Sequence, residues 1–123
     1  MHVDDEDGIL RLIKRLLSDD FEIKQYSNVG ESLPILEKED FDLYISDGLG
    51  GGWKQVYGTV RSKELIQGKD YSEYKPFIVH TSNLEAINQV KKDMKYDKKL
   101  CFIQKPSDDI FALKEYILKF SKE

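Results

Sequence analysis

Apolar positions follow two alternating rhythms along this chain: short unbroken runs, and longer stretches with one apolar residue every three or four. The first rhythm marks buried strands and the second amphipathic helices. Residues 8–17 carry Ile9, Leu12, Ile13, Leu16 and Leu17 on one side and Arg11, Lys14 and Arg15 on the other, a helix that Ser18, Asp19 and Asp20 close. Phe21, Ile23 and Gln25 then alternate with Glu22, Lys24 and Tyr26, predicting a short strand near a sheet edge. Ser27 and Asn28 can cap a second helix over 30–39, with Leu33, Ile35 and Leu36 inward and Pro34 in its first turn, where proline is tolerated. Residues 43–45 form a strand that ends on Ser46 and Asp47 and runs into Gly48-Leu49-Gly50-Gly51-Gly52. A third helix over 53–66 has an apolar face of Val56, Val60, Leu65 and Ile66. After a polar loop at 67–75, residues 76–80 read as another buried strand, ending in Thr81-Ser82-Asn83. Residues 84–94 place Leu84, Ile87, Val90 and Met94 on one stripe, and residues 100–103 are a last strand ending in Gln104-Lys105-Pro106-Ser107. Ser107 or Asp108 then caps a final helix with Ile110, Leu113, Ile117 and Phe120 inward.

Strands alternating with helices of ten or more residues predict an α/β fold, a parallel sheet covered on both faces. At 123 residues the whole chain, 1–123, is expected to be one domain around a single core. The alternation requires a strand before the first helix, yet only Met1, His2 and Val3 precede the acidic Asp4-Asp5-Glu6-Asp7. Composition narrows the class. With 40% hydrophobic and 34% charged residues the chain is neither disordered nor a membrane protein, and no apolar run approaches the ~18 residues of a membrane span. No signal peptide is expected, because no apolar stretch precedes the acidic cluster. A net charge of −4 counts against a nucleic-acid partner. The single Cys101 excludes an internal disulfide and suits the cytoplasm.

Four strand ends carry polar groups: Asp4 and Asp5 after the first, Asp47 after the third, Thr81 after the fourth and Lys105 after the fifth. In a parallel sheet these ends share one edge, where open α/β folds bind ligands. Carboxylates brought together repel, which raises their proton affinity unless a cation neutralises them. Hard oxygen ligands with room for waters suit Mg²⁺. A carboxylate beside such a cation can attack phosphorus and form an aspartyl phosphate, with a lysine and a hydroxyl sharing the charge on the transferring oxygens. Structural roles compete for each residue. Lys105 can be a solvated lysine at a helix start, Thr81 a helix cap and Phe102 plain core, while His2 and His80 read as incidental.

In this order and spacing the residues resemble the receiver domain of two-component response regulators, over nearly the whole chain. Val3-Asp4-Asp5-Glu6 resembles the family's acidic pair, and Asp42-Leu43-Tyr44-Ile45-Ser46-Asp47 its phosphoacceptor strand. Pro76-Phe77-Ile78-Val79-His80-Thr81-Ser82 is similar to the strand ending in Thr or Ser, and Phe102-Ile103-Gln104-Lys105-Pro106 to the Lys-Pro strand end. The resemblance implies a doubly wound, five-stranded parallel sheet in the flavodoxin-like order 2-1-3-4-5. It implies that Asp47 accepts a phosphoryl group from a histidine kinase or a histidine phosphotransfer protein. Asp4, Asp5, Asp47 and the backbone carbonyl of Leu49 would hold Mg²⁺, and Lys105 and Thr81 would contact the phosphoryl oxygens. Thr81 and the switch aromatic Phe102 would relay the change to a downstream protein through the fourth helix, fifth strand and fifth helix. The implied module is no turnover enzyme, has no output domain, and binds neither nucleic acid nor membrane. The chain departs from the pattern after Asp47, where the family has Met-Pro and then Asp-Gly. Leu49-Gly50-Gly51-Gly52-Trp53 stands there instead, which keeps open a pseudo-receiver that binds partners without being phosphorylated. An aspartate-nucleophile phosphatase would carry a second aspartate two residues past Asp47, where this chain has Leu49.

Overall fold

A computed structural model describes residues 1–106 and 109–122. Five strands, β1 (His2–Val3), β2 (Gln25–Tyr26), β3 (Tyr44–Ser46), β4 (Phe77–Thr81) and β5 (Leu100–Gln104), form one sheet in the order β2-β1-β3-β4-β5. Every pairing is parallel. Five helices connect and cover them: α1 (Asp7–Leu17), α2 (Val29–Lys38), α3 (Trp53–Ile66), α4 (Leu84–Asp93) and α5 (Ile110–Ser121). This is the flavodoxin-like, doubly wound arrangement.

Strand alternation divides the core in two. Met1, Val3, Tyr44, Phe77, Val79 and Leu100 face α2, α3 and α4, and pack with Leu36, Trp53, Val56, Val60 and Val90. Ile45, Ile78 and Cys101 face the other way and pack with Ile13 and Leu17 of α1 and Leu113 and Ile117 of α5. The predicted α/β architecture therefore forms, with several local corrections. The second strand is confined to Gln25 and Tyr26, because a ladder runs only as far as its neighbour: the two-residue β1 is bracketed by the His2 amide on the Lys24 carbonyl at 2.9 Å and the Asp4 amide on the Tyr26 carbonyl at 3.1 Å. Helix α2 begins at Val29, capped by Asn28, so Pro34 sits in its second turn and on the exposed side.

Leu65 and Ile66 are 67% and 85% exposed rather than inward. The buried stripe of α3 is Trp53, Val56, Val60 and Glu64, and at about 100° per residue its two successors rotate away from the sheet. Leu84 and Ile110 open their helices and are also exposed, the buried stripes starting at Ala86 and Leu113. The predicted caps Ser107 and Asp108 lie outside the described residues. Asp109 caps α5, its carboxylate accepting from the amides of Phe111 and Ala112.

Below the sheet, at the end where strands begin, a buried polar network ties α3 to the segments entering β4 and β5. Arg61 donates to Asp97 at 2.8 Å, to Glu64 at 2.7 Å, and to the carbonyls of Lys75 and Lys99. Its guanidinium lies between the rings of Tyr57 and Tyr74, 5.3 Å from each centroid. Burial alone would lower its pKa, but the bonds to Asp97 and Glu64 outweigh that and shift it upward.

Candidate functional site

The site is built by register. His2 pairs with Ile45 and Val3 with Ser46, so Asp4 and Asp47 leave the sheet as neighbours, with the Asp47 amide on the Val3 carbonyl at 2.8 Å. Thr81 pairs with Gln104, and the Lys105 amide bonds to the Thr81 carbonyl at 2.9 Å. The Lys105 ammonium reaches back across β4 and β3. It donates to Asp4 Oδ2 at 2.8 Å and Asp47 Oδ1 at 3.0 Å, with Glu6 Oε1 at 3.6 Å. Asp4 is fully buried and Lys105 only 6% exposed, whereas Asp47 keeps a partly open side chain. Burial alone would lower the Lys105 pKa; the hydrogen bonds it donates to Asp4 and Asp47 overcome that, so the ammonium is held charged and its pKa shifts upward.

Asp5 and Glu6 stand exposed beside Asp4, and one carboxylate oxygen from each of the three lies within 4.8 Å of the others. A hard, oxygen-only donor set of this kind fits a divalent cation such as Mg²⁺. Glu6 was not among the residues singled out from sequence. Its amide donates to Asp4 Oδ1 at 2.9 Å, which turns the chain so that its carboxylate joins the group. The one available signal was its place directly after the acidic pair. Asp47 stands apart from this trio and meets Asp4 through the shared ammonium.

The glycine-rich loop folds into a tight turn at Leu49–Gly51. Leu49 has φ 50, a left-handed conformation costing a non-glycine residue roughly 1–2 kcal/mol. Its carbonyl accepts the Gly52 amide at 3.0 Å. Thr81 is buried, and its hydroxyl accepts the Asn83 amide at 3.0 Å, so among the described residues it bonds to neither Lys105 nor the carboxylates. Gly48 lies against it: a Cβ there would come within 2.8 Å of Thr81 Oγ1. Phe102 is half-buried against the α2–α4 side of the core, with the Lys91 ammonium 5.6 Å over its ring.

Two histidines, read from sequence as incidental, are buried next to the charged residues. Among the described residues neither ring nitrogen of His80 has a hydrogen-bond partner, and nor does Nε2 of His2, which lies 3.9 Å from Asp4 Oδ2. His2 Nδ1 meets Gln25 at 3.1 Å. Desolvation, with help from the Lys105 charge, lowers the His80 pKa to about 4. Desolvation, then His80, lowers that of His2 to about 3, so both rings are neutral at pH 7.

No protein-family model matches the sequence, and no curated protein matches it significantly. Solved structures do. Two structures of the chemotaxis response regulator CheY4 of Vibrio cholerae superpose with a TM-score of 0.68, at 19% and 20% identity, covering 97% of this chain and 94% of theirs. The chain has the receiver-domain fold. Receiver-like architecture also appears in a structure described as adenylate cyclase from Rhodopirellula baltica, at 22% identity and TM-score 0.63 over 98% of this chain and 87% of that one. A de novo designed Rossmann 2x3 protein reaches 0.61 at 15% identity, over 98% of this chain and 86% of its own. A designed backbone can thus match the architecture, so any functional reading has to rest on the strand-end residues.

Proposed function

We propose that this chain is the phosphoacceptor receiver module of a two-component phosphorelay, phosphorylated on Asp47. The observation that carries the reading is the Lys105 ammonium bridging Asp4 and Asp47 at 2.8 and 3.0 Å, at the sheet edge where a receiver fold receives its phosphoryl group. An Asp47 carboxylate oxygen attacks the phosphorus of a phosphohistidine on a histidine kinase or phosphotransfer protein. The P–O bond forms as the P–N bond breaks, and the electron pair stays on the imidazole nitrogen. Mg²⁺, held by Asp4, Asp5, Asp47 and the Leu49 carbonyl, would neutralise charge on the phosphoryl oxygens. Glu6 would add a fourth carboxylate beside that set. Lys105 supplies a positive charge already aimed at Asp47, and Thr81 ends β4 at the same edge, its carbonyl accepting the Lys105 amide. Output would pass through Thr81 and Phe102 to a downstream protein on the α4–β5–α5 face. The setting would be cytoplasmic. Among the described residues no helix is long and apolar enough to cross a membrane.

Incubation with acetyl phosphate or phosphoramidate and Mg²⁺, followed by intact-mass measurement, should add one phosphoryl group to the wild type and none to Asp47→Asn. An equal adduct on Asp47→Asn would refute the assignment. The pseudo-receiver is the second reading, supported by the Leu49 carbonyl being engaged by Gly52 and by Lys105 already satisfying both acids. A wild type that takes up no phosphate under any of these conditions would establish it instead.

A further inference from the structure

We propose that the turn between α4 and β5 is a docking surface for an acidic segment of a partner protein that carries one apolar side chain among its carboxylates. The turn lies at the end of the sheet opposite Asp47, and the inference stands independently of the phosphoacceptor reading. Charge is the first observation. The chain as a whole is −4, yet residues 91–99 hold five lysines against two aspartates. Asp97 is buried and consumed by Arg61 and Tyr57. Lys92, Lys95 and Lys98 are exposed, and none forms an ion pair among the described residues.

Rigid presentation is the second observation. Tyr96 is 86% exposed at the centre of these lysines, on a turn that cannot easily relax. The amides of Tyr96 and Asp97 both bond to the Asp93 carbonyl at 3.0 Å. The Asp97 carboxylate is gripped by Arg61 Nε at 2.8 Å and the Lys99 amide at 2.9 Å, and the Lys98 amide meets the Tyr71 hydroxyl. Because the backbone that carries it is already fixed, covering this ring orders only its two side-chain torsions, which is why tyrosines on fixed backbone serve as interface anchors.

Shape is the third. Tyr57, Tyr71, Tyr74 and Tyr96 line a hollow of about 320 Å³ together with Arg61, Asp93 and Asp97. Arg61 is already paired with Asp97, so the hollow offers no free cation to a carboxylate, whereas an aliphatic or aromatic side chain can seat on the rings. The partner's carboxylates then fall outside, on Lys92, Lys95 and Lys98. A polyanion with evenly spaced phosphates fits less well, because three lysines neutralise few charges and the chain's net −4 opposes a long anionic strand. An anionic bilayer would meet the same opposition beyond the patch.

The test uses the full, unphosphorylated, ¹⁵N-labelled chain and a blocked acidic peptide with one central leucine, Glu-Glu-Asp-Leu-Asp-Glu. Amide shifts should concentrate at residues 71–74 and 92–98, and affinity should fall about tenfold from low to moderate salt as screening grows. The triple variant Lys92→Gln, Lys95→Gln, Lys98→Gln should weaken binding about tenfold with an unchanged thermal midpoint. Tyr96→Ala should weaken it severalfold at constant salt dependence. No shifts at millimolar peptide, or shifts scattered equally over the lysines of α1 and α3, would overturn the proposal. So would tighter binding of a single-stranded DNA oligomer or of phosphatidylserine vesicles to the same turn. Because Asp47 plays no part in the assay, failure here leaves the phosphorylation experiment unaffected.

Discussion

Placing Ile-Val-Ile in front of Met1 should stabilise the fold by about 3 kcal/mol at pH 7, since β1, an interior strand of the sheet, has only two residues. Its two residues sit between β2 and β3, and the Met1 amino group is buried, donating to the Leu43 carbonyl at 2.8 Å. Desolvation lowers its pKa from 8.0 to about 5. A base whose folded pKa is depressed must be deprotonated to fold, so its contribution falls away as pH drops from 8 towards 5. That cost is about 1.4 kcal/mol at pH 7 and nearly 4 at pH 5. An extended chain has a peptide amide there and escapes it. Beside Met1 lies a hollow of about 340 Å³ lined by Ile13, Leu17, Phe21, Ile23, Leu43 and Ile45 together with Asp20, Glu22, Lys24, Glu39, Asp40 and Asp42. Continuing the register sets the added residue next to Met1 opposite Leu43, facing α1. Two side chains buried there contribute roughly 4 kcal/mol. Among the described residues the amides of Lys24 and Leu43 have no backbone partner, and two new ladder bonds add about 2 kcal/mol. Ordering three residues costs about 4.5 kcal/mol, which leaves the net gain near 3. Thermal melts at pH 7 and pH 5 should show a midpoint higher by roughly 10 °C and a shallower pH dependence. N-terminal acetylation alone should remove the terminal amine's share of the pH dependence without adding the burial. If the extended chain melts at the wild-type temperature with the wild-type pH slope, the stub does not limit the fold, and the position of Asp4 at a central strand end is wrong.

Three further outcomes are expected. Lys105→Met leaves the buried Asp4 facing Asp47 with no cation and should cost about 3 kcal/mol at pH 7 by urea unfolding; desolvation already raises the Asp4 pKa, so the deficit should shrink as pH falls and Asp4 is protonated. His80→Leu removes two orphaned ring nitrogens and should stabilise by about 1–3 kcal/mol. With a folded pKa of about 4 against 6.5, His80 withdraws about 2 kcal/mol as pH falls from 7 to 5, and urea midpoints at the two pH values should show that loss missing in the variant. Arg61→Ala strands the Asp97 and Glu64 carboxylates and should cost about 3–5 kcal/mol in a thermal melt, with Arg61→Lys recovering little because one ammonium cannot span both acids and two carbonyls.

How far the sequence could be read depended on whether the cause was local. Strand ends at Asp4, Asp47, Thr81 and Lys105 were legible, because turn residues bound the apolar runs and a parallel sheet gathers such ends. Helix faces were legible only where the anchor was known. Counting α3 from Val56 and Val60 recruited Leu65 and Ile66, but the true stripe starts at the fully buried Trp53 and ends on Glu64. The Arg61 network gave no signal, since its partners lie 3, 14, 36 and 38 residues away along the chain. The Thr81 hydroxyl accepts the Asn83 amide two residues on, a local role of the kind its helix-cap reading expects, whereas nothing in the sequence says that Leu49 adopts φ 50.

The two functional readings can be weighed by asking which charges a purely structural role accounts for. Asp4 is fully buried, and an isolated carboxylate in that position costs several kcal/mol unless paired. Lys105 meets that need by itself, at 2.8 Å, and a pseudo-receiver requires nothing more. Asp47 could join such a bridge as a second acceptor. Glu6 reaches the same ammonium at 3.6 Å, but Asp5 cannot be explained that way. It is exposed, its carboxylate lies within 4.8 Å of those of Asp4 and Glu6, and it has no cationic partner among the described residues, so in a structural site it only adds repulsion. Repelling carboxylates at one sheet edge cost little if a divalent cation is to be held there and are a liability otherwise. The surplus of acid beyond what Lys105 can neutralise is therefore the feature that favours the phosphoacceptor over the pseudo-receiver. It also sets a test independent of phosphate. Mg²⁺ should raise the wild-type thermal midpoint, and Asp5→Asn with Glu6→Gln should raise the midpoint without Mg²⁺ while abolishing its response to the ion. A wild type indifferent to Mg²⁺ would return the acids to a solvated face and the chain to the pseudo-receiver reading.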